Sequence, residues 1–283
     1  MKYFCALNSL AIVLLLGCGK SEPEQMTKGP QPLSSVKSES LSWEVAWEKA
    51  GFEMGWGGPS KEFGSLAFTD DLDELEKSES LVVFLAPGAM RVGIFDRLPA
   101  PLSEFGLAFF EYKVEDEELK KFSRFSKLKS LHLEDPVITD EGLKSLAGLQ
   151  NLNELTLSMT RKSLITAKGL QEVTHLQNLT VLTLSGENVT DEGLVDLAKL
   201  EELTELTIRY TRITDQTLRE VAKLKNLNTL KLEQNEHLTD AGMKEISKLP
   251  GLTSLAVNAG GTEYQKSQIK ISDESLKEIG ALQ

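Results

Sequence analysis

The chain has 283 residues, with 31 Lys and Arg against 43 Asp and Glu, for a formal net charge of −12. That balance argues against a phosphate-backbone partner, which needs a broad basic footprint, so no nucleic-acid ligand is expected. Both cysteines, Cys5 and Cys18, fall at the start of the chain, so the remainder holds no disulfide, thiolate nucleophile or cysteine metal site.

Lys2 precedes an apolar run from Ala6 to Leu16, broken only by Asn8 and Ser9. The run is short for a membrane-spanning helix and suits the apolar stretch of a secretory signal peptide over residues 1–17. It closes on Leu15-Leu16-Gly17-Cys18, which resembles the lipobox of bacterial lipoprotein precursors. The resemblance implies cleavage before Cys18, lipidation of its thiol, and a cell-envelope protein held to the membrane by an N-terminal lipid. Gly19, where aspartate favours inner-membrane retention, implies the outer membrane. An ordinary signal peptide with an incidental cysteine is the alternative. Residues 18–40 are polar, contain three prolines and show no apolar periodicity, so they are expected to form a disordered tether from Cys18. A flexible segment of that length spans roughly 25 Å on average.

Residues 41–103 do not repeat cleanly. Trp43, Val45, Ala46, Trp47 and Ala50 fit one short amphipathic helix ended by Gly51. Gly55 to Pro59 reads as a turn-rich loop, Thr69-Asp70-Asp71-Leu72 echoes a signature found further on, and Leu81 to Leu85 reads as a buried strand. An irregular N-terminal cap or degenerate repeats account for this segment, because the open end of a repeat stack must be covered. A separate module around Trp43, Trp47 and Trp56 is the other reading.

From residue 104 a repeat takes over, degenerate at first in Leu107, Phe109, Val114, Asp116, Leu119, Phe122 and Phe125. Its full form is Leu128, Leu131, Leu133, then Ile138-Thr139-Asp140, then Gly142, Leu143, Leu146 and Leu149. The frame returns at Leu152, Leu179, Leu203, Leu227 and Leu252, at intervals of 24, 27, 24, 24 and 25 residues. Such a period means a solenoid. Alternating leucines such as Leu131 and Leu133 predict a short strand with one buried face. Thr139, Thr190, Thr214 and Thr239 are placed as helix N-caps, and Asp140, Asp191, Asp215 and Asp240 sit where the helix dipole favours negative charge.

This pattern resembles leucine-rich repeat proteins, closest to the cysteine-containing or ribonuclease-inhibitor-like subclass, over about Glu104 to Leu282. The ITDEGL wording is similar to that of leucine-rich lipoproteins and secreted proteins of planctomycete bacteria. The resemblance implies an α/β solenoid with a parallel concave sheet and convex helices over residues 104–283, and protein binding as the general activity of the class. Many such repeats carry an asparagine ladder. Here the equivalent positions are Pro136, Thr160, Glu187, Thr211, Asn235 and Ala259, so no full ladder is expected, although Thr160 and Thr211 can bond in part of one.

Little in the sequence suggests catalysis. His132, His175 and His237 fall in different repeat elements, no zinc-ligand spacing occurs, and no nucleophile elbow, Walker loop or dinucleotide fingerprint is present. Helix capping accounts for the recurring Thr-Asp without calcium. Neither metal nor cofactor is expected, nor is the chain expected to be an enzyme. The expected ligand-binding residues are outward-pointing strand positions and their rim: His132, Glu134, Arg209, Tyr210, Arg212, Lys231 and Glu233. Tyrosine and arginine are favoured interface anchors. Arg161 to Ser163 and Gly260 to Lys270 add exposed loops. The sequence therefore reads as an envelope-anchored, monomeric repeat protein that binds another protein through its concave face. A structural spacer without a discrete ligand is the alternative, and an enzyme with a site in 41–101 is a third.

Overall fold

In the computed structural model of the chain, the described residues are 41–59, 66–69, 81–90 and 93–258. The expected signal peptide, Cys18, the tether to residue 40, Asp70 to Leu72 of the Thr-Asp echo, Ala259 and the 260–270 loop lie outside them.

The alternating aliphatics form strands as expected. They are β4 (Phe105–Phe109), β5 (Leu128–Glu134), β6 (Glu154–Ser158), β7 (Val181–Ser185), β8 (Glu205–Arg209), β9 (Thr229–Glu233) and β10 (Ser254–Asn258). Each pairs in parallel with the next, and β3 (Leu81–Leu85) pairs in parallel with β4. The register aligns identical repeat positions. Leu131, Leu155, Leu182, Leu206 and Leu230 form one row, and Leu133, Leu157, Leu184, Ile208 and Leu232 form another. All ten are buried, and each contributes roughly 1.5–3 kcal/mol by leaving water. A slip of one residue would turn every one of them to the opposite face, so the leucine pattern itself fixes the register.

Helices return the chain from one strand to the next: α3 (Asp116–Phe122), α4 (Asp140–Leu146), α5 (Ala167–Glu172), α6 (Asp215–Val221) and α7 (Asp240–Ile246). Between β7 and β8 the return is made instead by 3-10 turns, Asp191–Leu194 and Leu197–Lys199. The molecule is an α/β leucine-rich repeat solenoid with a parallel sheet, helices behind it, and an irregular N-terminal cap.

The cap is built from α1 (Leu41–Lys49), β1 (Glu53–Pro59), β2 (Leu66–Thr69), β3 and α2 (Ile94–Arg97). Gly55 to Pro59, read from sequence as a loop, belongs to β1. That strand pairs antiparallel with β3 along one edge and with β2 along the other, and shared backbone hydrogen bonds outweigh the turn preference of its glycines. One apolar core runs without interruption from Trp43 to Leu252. Trp47 closes its end. It is fully buried, its ring lies 5.0 Å from Phe84, 5.8 Å from Phe105 and 5.6 Å from Phe125, and its Nε1–H donates to the Pro99 carbonyl at 3.0 Å.

The Thr-Asp signature does more than cap a helix. At Thr139, Thr166, Thr214 and Thr239 the hydroxyl oxygen accepts from the backbone N–H two residues on, at 3.2 Å in each case. The same hydroxyl donates to the aspartate that opens the preceding repeat's helix. Thr139 Oγ1 reaches Asp116 at 2.7 Å, Thr166 reaches Asp140 at 2.6 Å, Thr214 reaches Asp191 at 2.7 Å and Thr239 reaches Asp215 at 2.6 Å. The threonine backbone N–H donates to the other oxygen of that carboxylate, at 2.8, 2.7, 2.9 and 2.9 Å in the same order. At these four junctions each repeat is thus clasped to the next by two charge-assisted hydrogen bonds.

The glycine of the motif makes room for this. A Cβ on Gly142, Gly169 or Gly242 would collide with Oδ1 of Asp116, Asp140 or Asp215. Thr217 stands at the equivalent position of α6 and is tolerated because it bonds the carboxylate. Its N–H and Oγ1 donate to Asp191 at 3.1 and 2.5 Å.

Burial pushes the Asp191 carboxyl up, but the hydrogen bonds from Thr214 and Thr217 outweigh it and hold it below its ordinary value of 3.8. A depressed carboxyl contributes stability that is fully present above 3.8 and lost as pH falls through its lower folded value. Equilibrium unfolding monitored below pH 4 is therefore expected to show less acid dependence in Asp191→Asn than in the native chain, from a lower starting stability. Trp47→Ala should cost about 3–5 kcal/mol by opening a cavity at the end of the core, measured by denaturant titration.

Candidate binding surface

The outward positions of the strands form three rows across the sheet, fixed by the same register that aligns the leucines. The first is Ser130, Glu154, Val181, Glu205 and Thr229; the second His132, Thr156, Thr183, Thr207 and Lys231; the third Glu134, Ser158, Ser185, Arg209 and Glu233. Adjacent backbones in such a row lie about 4.8 Å apart, so Glu134 and Arg209 are separated by roughly 14 Å of sheet. Between them stand only the short hydroxyls of Ser158 and Ser185.

Accessibility divides these rows. Ser130, His132, Thr183 and Thr207 are buried, whereas every member of the third row is half-buried. His132 was expected to face a ligand, and at 4 % exposure it is out of reach of one. The Phe110 ring, 4.6 Å from the imidazole, lies against it. Burial, with the Arg209 charge adding to it, pushes the imidazole down to about 3. Nothing in the sequence spacing distinguished His132 from an open strand position, because the covering phenylalanine comes from the loop after β4.

The remaining expected residues fall into two places. Glu134, Arg209, Lys231 and Glu233 share the sheet surface. The Arg209 and Glu233 backbones pair directly, and Lys231 lies on the same strand face as Glu233. Burial pushes the Lys231 ammonium down, opposed by the carboxylates of Glu205 and Glu233. Burial also pushes Glu134 up, with Lys113 and Arg209 countering it and Asp135 adding to it. Tyr210 marks the rim. It is half-buried and sits in the left-handed region at φ 57°, as do Asp135 (48°) and Gln234 (53°) at the same point of their repeats. That backbone turn carries the chain out of each strand and into the loop.

Arg212 belongs to a different cluster, on the loop edge. Its Nη2 donates to Glu187 Oε2 at 2.6 Å, and Arg161 Nε donates to Glu187 Oε1 at 2.6 Å. Together these two bonds hold the Glu187 carboxyl below its usual range. The cluster joins three successive repeats across the surface. Arg161 was legible as part of an exposed insertion; its partner Glu187 was not, because it stands at an asparagine-ladder position where no charge is expected. Among the described residues, one rung of that ladder exists: Asn235 Oδ1 accepts from Thr211 N–H at 3.2 Å and from Thr211 Oγ1 at 2.6 Å, and Asn235 Nδ2 donates to the Ile208 carbonyl at 2.9 Å. Thr160 instead donates to Asp135, at 2.6 Å.

Among the described residues, no group of three or more His, Cys, Asp or Glu side chains is placed to hold a metal ion. Among them too, no helix is long and apolar enough to cross a membrane.

The fold and these repeat positions define a leucine-rich repeat solenoid. The family model described as Leucine Rich repeat matches residues 126–147, 175–198 and 223–247. No curated protein matches the chain in sequence. Among solved structures it is similar to an internalin (inlF) from Listeria monocytogenes, with 21 % identity and a TM-score of 0.47 over 58 % of this chain and 50 % of that one. It is also similar to an internalin C2 (inlC2) from the same organism, with 19 % identity and a TM-score of 0.34 over 66 % of this chain and 88 % of that one. The chain thus spans half the length of the first of these internalins, and likeness at this level carries no functional argument.

The depressed imidazole has a checkable consequence. The unfolded chain binds a proton at His132 near pH 6.5, and the folded one only near 3. Stability from this group is therefore complete above about 6.5 and falls as pH drops toward 3. Native-state titration by NMR is expected to show the His132 ring neutral at pH 5, and His132→Leu to lessen the loss of stability between pH 6.5 and 4.

Proposed function

We propose that this chain is an envelope-anchored leucine-rich repeat lipoprotein that binds another protein through the concave face of its solenoid. The observation that carries the binding half is the third strand row. Glu134, Ser158, Ser185, Arg209 and Glu233 stay half-buried along one continuous line while the neighbouring row is largely closed. Charges at its two ends, hydroxyls between them, and Tyr210 at the rim suit a polar, orientation-selective contact. The repeat class commonly serves as a protein-interaction scaffold, and the extended sheet presents a long contact surface without a pocket chemistry of its own.

The anchoring half rests on the sequence Leu15-Leu16-Gly17-Cys18 and its resemblance to a lipobox. Cys18 would carry the lipid, and residues 19–40 would hold the solenoid away from the bilayer. One acyl chain alone binds a membrane only marginally, so a stable anchor requires more than one. Outer-membrane placement follows from Gly19 by the same resemblance. A monomer is proposed, with the sheet surface left for a partner.

Proximity crosslinking of the full chain in its native cell tests this, alongside Cys18→Ala and Arg209→Glu/Lys231→Glu forms. One dominant protein partner is expected, lost on charge reversal, with the Cys18→Ala form released from the membrane fraction. A diffuse set of neighbours unchanged by charge reversal would replace the binding reading with a spacer role.

A further inference from the structure

The carboxylate–threonine clasp joins α3 to α4, α4 to α5, the 191–194 turn to α6, and α6 to α7. It is missing at the junction between the repeats of β6 and β7. There Ala167 stands where the other repeats carry the accepting aspartate, and the side chain of Thr190 makes no capping bond. A Cβ on Gly193 would meet Leu170 Cδ1 and Cβ at 3.0 and 3.1 Å and the Ala167 Cα at 3.5 Å, and no carboxylate is among its nearest neighbours as one is at Gly142, Gly169 and Gly242.

Two further features mark the same junction. Helical structure is irregular on both sides of it. α5 has six residues and passes into a 3-10 turn at Val173–His175, and the next repeat winds only as 3-10 turns, where α4, α6 and α7 have seven α-helical residues each. A 3-10 turn is common at a helix end such as that of α5, whereas 3-10 winding inside a helical segment marks a hinge or strain. Secondly, the surface contact across the junction is the ion pair between Arg161 and Glu187, and Arg161 is 83 % exposed. Asn188 Nδ2 donates to the Ser163 and Ile165 carbonyls at 3.1 and 3.4 Å, and Gln171 Nε2 to the Glu192 carbonyl at 2.8 Å, all neutral hydrogen bonds. A half-buried charge-assisted pair has been exchanged for an exposed, solvent-screened one.

We propose that the β6–β7 junction is a salt-sensitive hinge of the solenoid, held by Arg161 and Glu187 where the other junctions carry the aspartate clasp. The leucine core and strand ladder run through it, so the two halves open on the helical side while staying joined through the sheet. Glu134 lies on one side of the hinge and Arg209 on the other, so its opening changes the curvature of the surface between them.

Amide hydrogen exchange of the full chain, read by mass spectrometry in about 20 mM and about 1 M salt, tests it. Amides of residues 187–200 are expected to exchange roughly tenfold faster at high salt, while those of α4 and α7 change little. Arg161→Gln, which leaves the Arg212–Glu187 pair of the next junction in place, should show the fast exchange already at low salt. Ala167→Asp installs the missing acceptor beside Thr190 and Gly193, and should slow exchange there and abolish the salt response. Salt-independent exchange at 187–200 in the native chain, or an Ala167→Asp chain whose salt response is unchanged, would overturn the hinge.

Discussion

The interaction on which the solenoid depends is a carboxylate reaching out of its own repeat. A single 24-residue unit buries too few aliphatics to offset the ordering of its backbone, which costs about 1–2 kcal/mol per residue. Stacking must supply the difference, and stacking needs a fixed register on the helical side as well as in the sheet. Asp116, Asp140, Asp191 and Asp215 provide it by accepting both the hydroxyl and the backbone N–H of a threonine in the following repeat. The same threonine caps its own helix, so capping and stacking are accomplished by one side chain.

This explains why the motif is so uniform. Isoleucine or leucine before the threonine enters the core, threonine caps and donates, aspartate accepts from the next repeat, and glycine clears space for the aspartate behind it. Where glycine is replaced, at Thr217, the substitute bonds the carboxylate it would otherwise strike. Where aspartate is replaced, at Ala167, the following turn is 3-10 and an exposed ion pair takes over. The departures are as informative as the rule.

Much of the architecture was legible in the sequence because it is periodic. Leucines such as Leu131 and Leu133 determine strand, face and register together, and the 24-residue interval reports how many residues one circuit of the solenoid requires. What escaped was contact between side chains of different repeats. Asp140 looked like a dipole partner because its other role lies 26 residues away, at Thr166. His132 looked like an open surface position because strand alternation predicts direction, not cover, and the Phe110 ring comes from outside the strand. Arg212 looked like a rim cation extending the strand position of Arg209, yet beyond the left-handed turn at Tyr210 it is a loop position and is committed to Glu187. Gly55 to Pro59 looked like a loop because its pairing partners, β2 and β3, are not encoded in its own composition.

The repeated frame and the proposed contact surface occupy different residues. Buried leucines build the same frame in each repeat, and the threonine–aspartate clasp joins it at four junctions. The half-buried third row, Glu134, Ser158, Ser185, Arg209 and Glu233, carries acid, hydroxyl and base where the frame rows carry leucine or isoleucine. The most direct test of the frame is a double-mutant cycle on Asp215 and Thr239, using Asp215→Ala, Thr239→Val and the pair, with stability read from urea unfolding. The clasp predicts a favourable coupling of roughly 1 kcal/mol or more between the two side chains. Additive losses, with no coupling, would mean that the carboxylate and the threonine stabilise their own helices separately and that the leucine core alone holds the repeats in register.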